Sequence, residues 1–327
     1  MARPPEDRPL FEFVRTAMST AVSVQIVGAR ADAEALAAEA FAWFARVERA
    51  CSRFDETSEL LRLCRAGTPP TTVSPLLFEM LRVALAVADA SAGAFDPTLG
   101  ATLQTMGFDR HWQTSLAPAP IPGALDAAGA ATGSTASRRW RAIHLDETHR
   151  TVRLDEPVLL DLGGIAKGFA IDLAARALHS VPSCCIVAGG DLLCRGHNAR
   201  GERWRTAVID PRDPQRHLGV VTVDAPEYAI CTSGGYRRTS ANGHHLLDPR
   251  HQRVTSATTM ASVTVVAPQA VIADALATAA FVLGPDGARH LLTSHEADAW
   301  FLDAHGALHE VQGWQRAQFL QNEAVAR

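Results

Sequence analysis

A glycine-rich segment at residues 161–168, Asp-Leu-Gly-Gly-Ile-Ala-Lys-Gly, has the residue types of an anion-binding site. Gly163 and Gly164 allow backbone amides to approach a ligand closely, and the helix predicted to follow has unpaired N–H groups at its N-terminus. Lys167 falls in the first turn of that helix, where a cation is unfavourable unless an anion lies nearby. The pattern favours a phosphate partner, and the alternative is a solvated lysine in an ordinary strand-to-helix turn.

Lys167 also stands out by composition. It is the single lysine among 31 Lys and Arg residues. A compact ammonium and a planar guanidinium bind phosphates in different ways, so one is not a neutral replacement for the other. Composition alone leaves two explanations of this lysine open: a site that requires a compact ammonium, and chance survival on the surface.

A second candidate is the pair Asp274 and Thr278, which are four residues apart in a predicted helix of mostly Ala, Leu and Val. This spacing places both oxygens on the same side of a helix. A carboxylate and a hydroxyl suit Mg²⁺, which takes a few protein oxygens together with phosphates and water. The alternative is an ordinary helical Asp and a Thr that bonds back to a carbonyl.

The segment His244-His245-Leu-Leu-Asp248-Pro249 contains a possible base. Histidine can accept a proton near neutral pH, and Asp248 can orient it or the substrate. Since the chain has 13 histidines, a surface histidine is the alternative. Two further turns are weaker signals: residues 93–97 place an aromatic ring beside a carboxylate, and residues 231–236 are rich in hydroxyls and glycine.

The elements that must position these residues are predicted from periodicity and capping. Most of the elements predicted after residue 140 are strands separated by short turns. This pattern favours a single α+β domain with much antiparallel pairing over a doubly wound parallel sheet. We predict helices at 31–51, 75–92, 165–180, 269–283 and 285–293, strands at 20–27, 157–161 and 262–267, and a loop or surface excursion at 116–139.

Composition and charge limit the classes of protein to which the chain can belong. The chain is 47% hydrophobic and 20% charged, which is typical of a globular protein with a large core. Its net charge of −4 argues against a nucleic-acid partner. The six cysteines show no CxxC spacing, so reduced and mostly buried thiols are expected.

The N-terminal residues contain acids and prolines and show neither a signal peptide nor a lipobox, so a cytoplasmic location is expected. The longest nearly uncharged stretch, residues 260–284, begins with strand character and contains Pro268, Gln269 and Asp274. It is better explained as a buried strand followed by a buried helix than as a membrane segment.

Taken in order, these segments resemble the ApbE family of FAD:protein FMN transferases, and the matches span nearly the whole chain. The resemblance implies a family domain at residues 13–320 after an N-terminal extension at 1–12, with the family's single α+β fold. The matching segments are residues 13–20, 51–63, 93–100, 106–108, 160–172, 187–196, 230–238, 244–250 and 262–284.

The resemblance also implies roles for individual residues. Mg²⁺ would be bound by Asp274, Thr278 and the backbone carbonyl of Gly164, and His245 would act as the base. FAD, the substrate, would be contacted by Met18, Phe54, Ala94, Phe95, Asp96, Asp161, Lys167 and Leu247.

The activity implied is transfer of FMN from FAD to a Thr or Ser hydroxyl of an acceptor flavoprotein, with release of AMP. The acceptor would carry a Ser/Thr-Ala-Thr-like motif. Two alternatives stay open: a Mg²⁺-dependent FAD pyrophosphatase that releases FMN and AMP, and a non-catalytic FAD-binding protein. The sequence departs from the family at Ser19, where Gly is common, at Phe54, where Tyr is frequent, and at Arg250-His251-Gln252, where Thr-Gly often follows the Asp-Pro pair.

Overall fold

Alternate side chains of one large antiparallel sheet pack against two different layers. The computed structural model describes residues 7–110, 119–124, 138–236, 239–240, 243–244, 246–250, 253–254 and 260–322. The elements given below lie within those residues.

The helices are α1 (Ala33–Cys51), α2 (Glu59–Ala66), α3 (Pro75–Ala90), α4 (Gly100–Thr105), α5 (Ala166–Ala177) and α6 (Ala270–Ser294). The strands are β1 (Leu10–Ala17), β2 (Thr20–Val27), β3 (Thr71–Thr72), β4 (Ile143–Asp146), β5 (Thr151–Leu154), β6 (Cys184–Ala188), β7 (Asp191–Arg195), β8 (Arg205–Asp210), β9 (Asp213–Val223), β10 (Glu227–Gly234), β11 (Thr239–Ser240), β12 (Gly243–His244), β13 (Leu247–Asp248), β14 (Arg253–Val254), β15 (Met260–Ala267), β16 (Asp298–Asp303), β17 (Leu308–Gln312) and β18 (Ala317–Gln321).

The large sheet has the strand order β1-β2-β6-β7-β10-β15-β16-β17. Every neighbouring pair in it is antiparallel. A smaller sheet has the order β18-β9-β8, and another has the order β3-β5-β4. The predicted α+β class with antiparallel pairing is therefore confirmed.

One face of the large sheet packs on helices and the other on the β18-β9-β8 sheet. Cys184 and Val265 belong to the core formed with α1, α3, α5 and α6. Their chain neighbours Cys185 and Val266 belong to a second core with side chains of β8 and β9. Because successive strand residues point to opposite faces, both faces are apolar and buried.

The start of α3 shows how local sequence sets a helix boundary. Ser74 precedes the helix, and its Oγ accepts a hydrogen bond from Leu77 N at 3.2 Å. Pro75 occupies the first turn, where its missing N–H and fixed φ are tolerated. The helix ends at Ala90, two residues before the predicted end, because Ala92 and Gly93 take left-handed backbone conformations with φ of 51° and 84°.

The predicted strand at 157–161 is wrong, because these residues lie in none of the described strands. Two of their backbone groups form hydrogen bonds to residues 97–100 instead of to a neighbouring strand. Gly100 N donates to Leu159 O at 3.0 Å, and Asp161 N donates to Pro97 O at 2.8 Å. These bonds attach residues 97–100, which follow the turn at 93–97, to the start of the glycine-rich segment.

The apolar stretch at 260–284 forms strand β15 and the first part of α6, as predicted. Helix α6 has the length and apolar composition of a membrane span, and 56% of its most apolar window is buried inside the protein. The helix is interrupted at Gly284, whose φ is 69°, directly before Pro285. The loop predicted at 116–139 lies mostly outside the described residues, and β1 begins at Leu10, within the segment expected to be an extension.

Candidate functional site

Two tight hairpins lie side by side at one end of the large sheet. Met18 and Ser19 connect β1 to β2 with φ of 47° and 63°, and Gly189 and Gly190 connect β6 to β7 with φ of 62° and 106°. Two consecutive positive φ values are typical of the type I′ hairpin turn. Because β2 pairs with β6, the two turns are neighbours. Ser19 keeps the left-handed backbone that glycine would adopt at this position.

Lys167 lies in the first turn of α5 and is paired with two carboxylates. Its Nζ is 2.5 Å from Asp191 Oδ2 and 3.5 Å from Asp274 Oδ1. Burial by itself lowers the pKa of Lys167, but the charges of Asp191 and Asp274 outweigh it and hold this pKa well above its usual value. In this structure the negative charge next to Lys167 is therefore supplied by two carboxylates of the protein itself, and the predicted phosphate partner stays a prediction.

Asp191 is a site residue that the sequence reasoning missed. It follows the Gly189-Gly190 turn and is only 3% exposed. Its Oδ2 contacts Lys167, and its Oδ1 accepts a hydrogen bond from Thr232 N of β10 at 3.1 Å. The available signal was its place directly after the two glycines in the matching segment 187–196.

Asp274 is buried in the second turn of α6, with 3% exposure. Its Oδ2 accepts a hydrogen bond from Gly168 N at 3.0 Å. Burial raises the pKa of the Asp274 carboxyl above its usual value, and the nearby charge of Lys167 opposes this increase. Asp274 thus joins α6 directly to the first turn of α5.

Thr278 lies one helical turn after Asp274 and packs against the glycine-rich segment. A methyl group built on Gly164 would lie 3.1 Å from Thr278 Oγ1 and 3.3 Å from Phe95 Cε2. Thr278 Oγ1 is also 3.3 Å from Ser233 Oγ at the end of β10. Glycine at position 164 therefore lets the backbone lie close to the Thr278 hydroxyl.

Two residues of α5 hold the start of α6 in place. The Asp172 carboxylate accepts hydrogen bonds from Ala270 N and Val271 N, both at 2.9 Å, and so caps the N-terminus of α6. Gly168 packs so closely that a methyl group on it would lie 2.2 Å from Ala270 O. These two contacts place Asp274 beside the first turn of α5.

A second group of residues surrounds Asp161. Its Oδ1 accepts a hydrogen bond from Gly163 N at 2.7 Å, and its Oδ2 accepts one from Arg53 Nε. The Arg53 guanidinium carbon lies 4.1 Å from the centre of the Phe54 ring. Two residues predicted to contact FAD, Phe54 and Asp161, are therefore linked by Arg53, which was not predicted.

The turn that contains Ala94, Phe95 and Asp96 is buried. Phe95 N donates to Ser91 Oγ at 3.0 Å, and Asp96 Oδ1 accepts from Thr98 N at 2.8 Å and from Thr98 Oγ1 at 2.6 Å. Asp96 Oδ2 is buried and has no hydrogen-bond partner among the described residues. Burial raises the pKa of Asp96 to about 6, against the opposing effect of the Thr98 hydrogen bonds.

Met18 and Leu247 lie outside these two groups. Met18 N donates to Glu48 Oε2 at 3.1 Å, and Leu247 packs with Leu103 and Phe108 in a small apolar cluster. That cluster connects the matching segment at 106–108 to the segment at 244–250. The predicted roles of Met18 and Leu247 as FAD contacts stay predictions.

Of the two adjacent histidines, His244 lies within the described residues and His245 does not. His244 is 4% exposed, and its Nδ1 accepts a hydrogen bond from Leu246 N at 3.2 Å. Its ring is edge-on to the Phe281 ring, with 5.8 Å between the ring centres. It is a packed core histidine. His245, the predicted base, lies outside the described residues, so its role stays a prediction.

The side chains around Asp274 have the chemistry of a partial Mg²⁺ site. The buried Asp274 carboxylate, the Thr278 hydroxyl and the Gly164 carbonyl are all oxygen donors, which Mg²⁺ prefers. No group of three or more His, Cys, Asp or Glu residues converges to hold a metal within the described ranges. Such a cage is not required, because Mg²⁺ commonly takes one or two carboxylates and completes its shell with phosphates and water.

Comparison with known proteins gives consistent matches. The model of the ApbE family matches residues 18–301. The FAD:protein FMN transferase of Treponema pallidum is 32% identical over 308 residues, which cover 87% of this chain and 82% of that protein. The FAD:protein FMN transferase of Klebsiella pneumoniae is 30% identical over 312 residues, which cover 92% and 86% of the two chains.

Solved structures show the same fold. The ApbE protein of Thermotoga maritima superposes with a TM-score of 0.79 at 26% identity, covering 93% of this chain and 97% of its own. The flavin transferase ApbE of Vibrio cholerae superposes with a TM-score of 0.77 at 24% identity, covering 94% and 99% of the two chains.

Proposed function

Because this chain belongs to the ApbE family, we propose that it is an FAD:protein FMN transferase that links FMN to a Ser or Thr hydroxyl of an acceptor flavoprotein. The relatives that cover most of its length carry this activity in their names. The observation that supports the proposal best is the convergence of Lys167, Asp274, Thr278 and the Gly164 backbone at the facing ends of α5 and α6.

The reaction is a displacement at phosphorus. The hydroxyl oxygen of the acceptor attacks the phosphorus on the flavin side of the FAD diphosphate and forms a new P–O bond. The bridging P–O bond breaks, AMP leaves with the bonding electrons, and the hydroxyl proton passes to a base. This chemistry needs positioning and charge neutralisation more than it needs a covalent enzyme intermediate.

Lys167 is suited to the diphosphate. The raised pKa keeps its ammonium charged, and its side chain is 30% exposed, so a ligand can reach it. Asp191 holds the ammonium from one side, which limits the positions that it can take. We assign Lys167 the task of orienting the phosphate oxygens and offsetting charge that develops on them.

Asp274, Thr278 and the Gly164 carbonyl would hold Mg²⁺, which when bound neutralises charge on the diphosphate. Asp172 and Gly168 keep these ligands in place by fixing the start of α6. Phe54, Asp161 and the turn at 94–96 are assigned to binding the rest of FAD, together with Met18 and Leu247. His245 is proposed as the base on the strength of the family resemblance.

The proposal is tested by incubating the protein with FAD, Mg²⁺ and candidate acceptor domains and examining flavin fluorescence on a denaturing gel. Covalent fluorescence on the acceptor is expected. Free FMN and AMP without labelled acceptor would instead favour the pyrophosphatase alternative, and FAD that stays intact with every acceptor would favour a non-catalytic FAD-binding protein.

The metal assignment has its own matched pair of variants on α6. Asp274→Ala removes the buried carboxylate and should abolish Mg²⁺-dependent transfer. Asp286→Ala removes a carboxylate that is fully exposed beyond the break at Gly284 and should leave transfer unchanged. Unchanged transfer by a folded Asp274→Ala protein would refute the metal assignment.

A further inference from the structure

Arg53 is a buried arginine that joins three separate segments of the chain. Its Nε donates to Asp161 Oδ2, its Nη2 donates to Phe108 O at 2.7 Å, and its guanidinium stacks 4.1 Å from the centre of the Phe54 ring. Arg53 is 4% exposed, whereas Phe54 and Asp161 retain partial exposure. The arginine thus lies beneath two residues assigned to FAD.

One donor atom of Arg53, unpartnered within the described ranges, argues against a purely stabilising role for this residue. Burying a guanidinium is costly unless each of its donors finds a partner. The Nη1 atom of Arg53 is buried and has no acceptor among the described residues. The described residues therefore offset only part of the cost of burying this guanidinium. Such a local loss of stability is expected at a position where a side chain places functional groups.

We propose that Arg53 is a positioning residue of the FAD site, and that it fixes the Phe54 ring and the Asp161 carboxylate in one mutual arrangement before FAD binds. The inference rests on the function proposed above. A guanidinium is suited to this task because it is planar on the side that stacks and forked at the edge that donates. A lysine at position 53 keeps the charge but can provide neither the plane nor the fork.

The test is FAD binding by the full-length protein, measured by calorimetric titration, with transfer kinetics as a second measurement. Arg53→Lys should weaken FAD binding about tenfold or more and should raise the KM for FAD more than it lowers kcat. The matched control is Arg65→Lys, since Arg65 forms an exposed ion pair with Glu56 on the same stretch of chain. This control should bind FAD as the unmodified protein does.

Double-variant cycles separate positioning from a general loss of structure. If Arg53 acts through the ring and the carboxylate, Arg53→Lys should weaken FAD binding less in a Phe54→Leu or an Asp161→Asn background than in the unmodified protein. An equal loss in all three backgrounds would overturn the proposal. So would an affinity of Arg53→Lys within about twofold of the unmodified protein, which is a difference of about 0.4 kcal/mol.

Three further outcomes each have a defined consequence for the proposal. If Arg53→Lys fails to fold by circular dichroism, Arg53→Gln is used in the same cycles, because its planar amide keeps one donor at the same position. If the unmodified protein binds no FAD, the proposed function fails, and the inference fails with it. If the unmodified protein binds FAD and transfers FMN but the cycles show no coupling, only the inference about Arg53 fails.

Discussion

Replacing Gly168 with alanine should damage both stability and activity, because the added methyl group has no space between α5 and α6. An ideal Cβ on Gly168 lies 2.2 Å from Ala270 O, 2.6 Å from Ala270 C and 2.8 Å from Val271 Cα. All three atoms belong to the backbone, so no side-chain rotation can relieve the contact. Ordinary contact begins near 3.4 Å, so α5 and α6 must separate by about 1 Å.

The size of the effect follows from that separation. Overpacking of this kind costs about 1–3 kcal/mol in the free energy of unfolding. A shift of about 1 Å would stretch the bond from Gly168 N to Asp274 Oδ2, now 3.0 Å, beyond hydrogen-bond range. A misplacement of about 1 Å at a reacting centre can reduce turnover by roughly 100-fold, so activity should fall more steeply than stability.

Gly287 provides the matched control because, among the described residues, a Cβ there meets the Leu283 side chain alone, at 3.3 Å. Gly287→Ala should be neutral or should stabilise the protein by up to about 1 kcal/mol, since alanine is the better helix former. Urea unfolding gives the stability of both variants, and the gel fluorescence assay gives their activity. If Gly168→Ala equals Gly287→Ala in both measurements, the close approach of α5 to α6 does not position the site.

Three further outcomes are expected. Ala92→Gly should raise the free energy of unfolding by about 0.5–1 kcal/mol, because Ala92 is exposed and adopts a φ of 51° that glycine takes without strain; a lower urea midpoint would contradict this. Burial raises the pKa of Asp96 to about 6, so in the folded protein this carboxyl keeps a proton that it loses in the unfolded chain. The stability that comes from binding this proton is lost as the pH rises through about 6. Between pH 4 and pH 7 the free energy of unfolding of Asp96→Asn should therefore rise by up to about 3 kcal/mol relative to that of the unmodified protein, as measured by urea unfolding at both pH values. If the two free energies change in parallel with pH, the pKa of the Asp96 carboxyl is not perturbed. Lys167→Arg should lower both FAD affinity and transfer, since a forked guanidinium cannot replace a compact ammonium held between Asp191 and Asp274; full activity would mean that the lone lysine is accidental.

Local signals in the sequence predicted the elements that depend on neighbouring residues. Ser74 and Pro75 mark the start of α3, and alternating apolar residues mark β2 at its observed limits. The four-residue spacing of Asp274 and Thr278 on a helix is confirmed for the same reason, since it depends only on helical periodicity. The family resemblance then supplied predicted FAD contacts, such as Met18 and Leu247, that no local pattern distinguishes.

Predictions failed where the answer depends on distant parts of the chain. The apolar run at 157–161 has strand composition, but whether it joins a sheet depends on a partner strand, and its neighbour is the turn at 97–100. The partners of Lys167 come from β7 and α6, so a local pattern could indicate only that an anion is needed. Arg53 is one arginine among many in the sequence, and only the fold shows that it is buried beneath Phe54 and Asp161.

The pairing of Lys167 with two carboxylates also determines how the protein responds to amine-directed chemistry. The chain has a single ε-amino group, and its pKa is held well above the usual value, so at neutral pH it is a protonated ammonium and a poor nucleophile. Acylating reagents should therefore label the α-amino terminus and leave Lys167 largely unmodified. A ligand or variant that releases Lys167 from Asp191 or Asp274 would expose one new reactive amine, which makes the acylation rate at this position a reporter of the state of the site.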